Sequence, residues 1–97
     1  MINIKLEQEA KQLVGKLVLN KGFLSIFENL NSSGCPIKNT GALRFGDYVF
    51  IVGFHKFRVA GWGNEFLAFR LLHKNQFGYS GGFNNDSQMD LFFQEVK

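Results

Sequence analysis

The sequence predicts a small α+β domain: two N-terminal helices, an antiparallel three- to four-stranded meander sheet, and a short C-terminal helix packed on one face. Three observations lead there. Apolar residues recur at helical spacing before residue 31, β-branched and aromatic residues gather between 48 and 80, and helical spacing returns after residue 86. No repeat, low-complexity tract or linker divides the chain, so residues 1–97 are expected to form a single domain.

Leu6, Ala10, Leu13, Val14, Leu17 and Val18 define the apolar face of the first helix. Glu7 and Glu9 sit early and Lys16 and Lys21 late, as the helix dipole favours, and Gly22 is the expected stop. Gly15 interrupts this helix at a cost of about 1 kcal/mol relative to Ala. Phe23, Ile26, Phe27 and Leu30, at i, i+3, i+4 and i+7, predict the second helix. The breaker cluster from Asn31 to Pro36 ends it, and a loop is expected to about Gly41.

Residues 48–52 read as a strand, residues 54–56 as a turn, and residues 57–60 as a second strand. Residues 61–64 form the next turn. Residues 66–72 fit a third strand, returning through 74–76 into a fourth at 77–80. A helix competes for the third: Asn64 would cap it, with Glu65 in the first turn and His73 and Lys74 in the last. The flanking turns favour the strand. The terminal helix takes Asp86 or Ser87 as its cap and Met89, Phe92, Phe93 and Val96 as its apolar side.

Twelve of the fifteen aromatic residues are Phe, more rings than so small a core readily absorbs. Periodicity turns Phe23, Phe27, Phe92 and Phe93 inward. Phe54 and Phe83 fall in turns, where periodicity explains no burial. With Trp62 and Tyr79, set among Gly and Asn, they are the candidate partner-contact residues.

The net charge of +3 is uneven. Residues 35–74 carry six basic side chains against Asp47 and Glu65, whereas residues 75–97 carry Lys97 against Asp86, Asp90 and Glu95. Lys56 and Arg58 lie two apart and share a face of an extended strand, and Arg44 and Arg70 come from neighbouring candidate strands. Basic residues beside exposed rings are what single-stranded nucleic acid binds. These four are the candidate nucleic-acid contacts, although no RNP-like string accompanies them.

No catalytic or cofactor pattern emerges. The stretch from Gly78 to Gly82 has neither the Lys-Ser/Thr of a P-loop nor G-x-G-x-x-G spacing. Cys35, His55 and His73 show no metal-ligand spacing and no nucleophile signature. A single cysteine excludes an internal disulfide and fits a reducing cytoplasm. The first residues lack a signal-peptide pattern, and no apolar run reaches the 18 residues or so of a membrane span. The expected function is that of a non-catalytic accessory or regulatory protein acting through protein–protein contact, as a homodimer, without metal or cofactor. The alternative is binding of RNA or single-stranded DNA through a basic and aromatic sheet face. A third is a small molecule held in an aromatic pocket between sheet and helices, lined by Tyr48, Phe50 and Phe69.

Overall fold

A computed structural model describes residues 4–59, 61, 63–85 and 87–96. Among them the order is α1 (Ile4–Leu13), β1 (Leu17–Asn20), β2 (Leu24–Leu30), β3 (Pro36–Leu43), β4 (Tyr48–Arg58), β5 (Glu65–His73), β6 (Gln76–Ser80), α2 (Ser87–Phe92) and β7 (Phe93–Glu95). All seven strands join one curled antiparallel sheet in the order β3-β2-β6-β5-β4-β1-β7. The predicted architecture of two N-terminal helices and a three- to four-stranded meander is therefore incorrect. One N-terminal helix precedes a half-barrel, and α2 follows it.

The first helix stops early. Gly15, with φ of +82°, takes the left-handed conformation that ends helices, and its N–H donates to Ile51 O at 2.8 Å. Leu17 to Asn20 then extend between β4 and β7. Their branched, alternately buried side chains suit a strand, and hydrogen bonding on both sides outweighs the helical spacing. The predicted second helix is β2. Leu24 and Ile26 face the core while Phe27 faces away, so apolar residues on both faces of a strand imitate i, i+3, i+4 spacing. The predicted loop after it is largely β3. Pro36 opens that edge strand, a position where its missing N–H costs nothing.

β4 runs unbroken through the predicted turn at 54–56. The β4–β5 register shifts between Ile51 and Gly53, so Ile51 and Phe54 both face the core. The strand alternative for residues 66–72 is the one found. β5 returns into β6 through Lys74 and Asn75, both at positive φ, in a two-residue hairpin turn. The terminal helix is short, and Gln88 Oε1 accepts from the N–H groups of Asn84 and Asn85 at its start. It gives way at Phe93 to β7. Ala60, Trp62 and the proposed cap Asp86 lie outside the described residues.

The core fills the helix side of the sheet. Leu6 and Ala10 of α1 and Met89 of α2 pack on Val18, Val49, Ile51, Leu67, Phe69, Leu71, Phe83 and Phe93. Phe69, Phe83 and Phe93 meet edge-on or tilted, with centroids 5.6–6.0 Å apart. No helix among the described residues is long and apolar enough to cross a membrane.

Among the polar ties that hold the elements together, two bear on stability most directly. Asn20 is fully buried, and its Nδ2 donates to the carbonyls of Gly22 and of Arg44, the latter at 2.9 Å. It joins the β1–β2 connection to the β3–β4 turn. Asn20→Ala leaves both carbonyls without this donor and is expected to cost about 2–3 kcal/mol in denaturant unfolding. The second tie links α1 to β4: Lys56 Nζ lies 2.9 Å from Glu7 Oε1. The Lys56 hydrogen bond holds the Glu7 carboxyl below its ordinary value, and Glu7 raises the lysine. A depressed carboxylate adds stability above its unfolded pKa and loses it as pH falls through the folded one. A raised lysine adds stability below its unfolded pKa and loses it as pH rises through the folded one. Thermal melts should therefore show Lys56→Gln less stable than wild type at neutral pH, with the two converging in acid once Glu7 is protonated.

Candidate functional site

Cross-strand partners share a face, so the register fixes what the sheet shows on the side away from the helices. Leu17 pairs with Phe50, Leu19 with Tyr48, Phe50 with Leu72, Leu72 with Phe77, and Arg70 with Tyr79. His55 opposes Ala68, and Phe57 opposes Phe66. This outer face carries no Asp or Glu at any of these positions. Neither helix covers it. Phe77 is 59 % exposed, Tyr48 57 %, Leu17 45 % and Phe50 37 %. Exposed apolar residues contiguous on one surface mark an interaction site, whereas scattered ones do not.

At the centre of this face stands Arg70. Its Nη1 donates to the Tyr79 hydroxyl at 2.6 Å, and its Cζ lies 5.0 Å from the Phe77 ring centroid and 5.3 Å from that of Tyr79. Two rings and a hydroxyl hold the guanidinium in place. No ion pair among the described residues involves it: Lys16 pairs with Glu95, Lys38 with Glu28 and Lys56 with Glu7.

Next to Arg70 the face is closed by the β2–β3 hairpin. Asn31 Oδ1 accepts from the N–H groups of Ser33 and Cys35 and shapes the turn, and His55 Nε2 donates to Gly34 O at 2.7 Å. The His55 ring meets Tyr79 edge-on at 6.0 Å. Beyond it Phe57 and Phe66 stack at 5.6 Å. A cleft of about 290 Å³ opens there between Phe27, Cys35, Pro36, Phe57, Phe66 and the Gly81–Gly82 backbone. It lies on the face opposite the helices.

The predicted contact residues scatter. Tyr79 lies on the outer face, half-buried beside Arg70. Phe54 packs against the core from β4. Phe83 is 2 % exposed, because its backbone exchanges both hydrogen bonds with Leu67, at 2.7 and 2.8 Å, and draws the ring inward. Trp62 is outside the described residues. Of the basic set, Arg70 is on the outer face. Lys56 and Arg58 share the opposite face, as their spacing requires, with Arg58 across from Glu65. Arg44 is exposed in the β3–β4 turn. The four do not converge. Sequence reasoning did not single out Phe77 as a contact, although a two-residue turn at Lys74 and Asn75 fixes 72↔77 and 70↔79 and would have placed it beside Arg70.

Both histidines are engaged with backbone: His55 as above, and His73 Nδ1 donates to Tyr48 O at 3.0 Å. Among the described residues no three His, Cys, Asp or Glu side chains gather to hold a metal ion. Comparison with family models, curated proteins and solved structures finds no match.

His55→Phe removes the tether on the 31–35 turn while keeping an aromatic ring. The Cys35 thiol, half-buried at the end of that turn, should then react with a disulfide reagent about 5-fold faster, the factor a net hydrogen bond of about 1 kcal/mol represents. An unchanged rate would show that the turn is held without His55.

Proposed function

We propose that this chain is a non-catalytic interaction domain that docks a protein partner through the outer face of its sheet. The observation that carries the reading is the strip of Leu17, Tyr48, Phe50 and Phe77, exposed side by side on strands that the helices leave bare. Aromatic residues and an arginine set in such a strip have the composition of an interface centre. The lack of Asp and Glu at the strand positions flanking Arg70 argues against self-pairing, since a two-fold contact centred here sets Arg70 against its own copy. Single-stranded nucleic acid finds rings here but one arginine, where backbone tracking calls for several cations.

Two measurements test this. Light scattering over a concentration series should give a mass near 11.0 kDa throughout; a dimer mass that Phe77→Glu abolishes assigns the face to a second copy and overturns the proposal. Immobilised wild-type protein should retain a partner from cell extract that then binds when purified. The double variant Tyr48→Glu with Phe77→Glu, shown folded by circular dichroism, should bind it roughly 30-fold or more weakly, as loss of a hot spot of about 2 kcal/mol predicts. Equal binding by both proteins, or no protein retained, overturns the proposal.

A further inference from the structure

We propose that Arg70 is the anion-recognising centre of this face and that the partner presents a carboxylate embedded in an apolar protein segment. The inference rests on the docking face proposed above and adds the partner's chemistry. The guanidinium is half-buried among rings, and one of its five N–H donors is committed to Tyr79. No carboxylate among the described residues pairs with it. Binding of an apolar partner would strip water from the remaining donors, and a buried cation without a counter-charge is strongly unfavourable. A partner that covers Tyr48, Phe50 and Phe77 must therefore bring an acceptor to Arg70. A carboxylate meets the planar donor fork with two parallel hydrogen bonds and neutralises the charge.

Charge complementarity selects the same partner at two ranges. Nearby, no Asp or Glu stands at the strand positions that flank Arg70, so a partner's carboxylate meets no repulsion there. At a distance, the chain's net charge of +3 draws an acidic protein. Three lysines that could serve a nucleic-acid backbone are matched instead with glutamates: Lys16 with Glu95, Lys38 with Glu28, and Lys56, on the opposite face, with Glu7. An isolated arginine among apolar rings suits one carboxylate in an apolar setting better than a chain of phosphates.

The test uses 3-phenylpropionate, whose ring and carboxylate are separated by about the 5.0 Å between the Phe77 centroid and Arg70 Cζ. In an NMR titration of the full chain it should move the Arg70 Nε–Hε, Phe77 and Tyr79 signals and saturate at millimolar concentration. Neutral 3-phenylpropanamide should bind at least tenfold more weakly. Arg70→Gln should lose the discrimination between the two, and Arg70→Lys, which keeps the charge but not the fork, should retain part of it. Dispersed spectra of both variants show that the fold is intact. Equal binding of acid and amide to the wild-type face overturns the role of Arg70 and leaves the docking face standing. No shift with either probe counts against both. Shifts on this face with an eight-nucleotide oligouridylate, lost steeply with salt, assign it to nucleic acid and overturn the proposal.

Discussion

The register shift between Ile51 and Gly53 in the β4–β5 ladder decides which side chains each face receives. Side chains alternate with period two, so one extra residue inverts everything beyond it. Before the shift Val49 and Ile51 face the helices; after it Phe54 does, where strict alternation would have turned it outward. The same inversion delivers Lys56 to Glu7 on α1 and sends His55 and Phe57 to the far side. There His55 reaches the Gly34 carbonyl and Phe57 stacks on Phe66. The tie to the helix and the anchor of the β2–β3 hairpin both follow from one irregularity in one pair of strands.

The second constraint is area. A helix of ten residues and one of six cover a single face of seven strands. The phenylalanine surplus divides accordingly. Phe69, Phe83 and Phe93 build the helix-side core, Phe54 and Phe92 pack at its margin, and Phe57 is buried on the other side under the hairpin. Phe50 and Phe77 remain at the surface beside Arg70. Close packing also limits where bulk fits: a Cβ at Gly78 would come within 2.5 Å of Ile26 Cγ2, so β6 can lie against β2 only with glycine there.

Legibility followed how far each element's signal was local. Strands at 48–52, 66–72 and 77–80 have branched and aromatic runs between turn residues, and they are found. The start of α1 and the first turn of α2 carry helical spacing and acidic first turns, and they are found too. β2 was unreadable as a strand because Ile26 and Phe27 are apolar on opposite faces, a pattern that helical periodicity fits equally well. β1, β3 and β7 are short or polar and depend on partners distant in sequence. Residues 54–56 read as a turn because the bulge just before them, between Ile51 and Gly53, breaks the alternation as a turn does. Tyr79 and Arg70 were each visible as site candidates. Their contact was not, since it arises from pairing across the β5–β6 hairpin. Phe83 resembled a loop ring because a single bridge to Leu67, and no periodic element, draws it into the core.

β1 lies between β4, from the middle of the sequence, and β7, from far beyond it. Its pairing with β4 spans a moderate stretch, but Asn20 opposes Phe93, 73 residues on. Closing a loop of that length costs about 4 kcal/mol of chain entropy beyond the constant term, and three residue pairs oppose that cost. In a ladder so unequal, the two-residue β5–β6 hairpin can form early and nucleate the sheet, while β7 joins late. Phe93 then lays its ring against Phe69 and Phe83, so the last seam to close is also the one that completes the aromatic core.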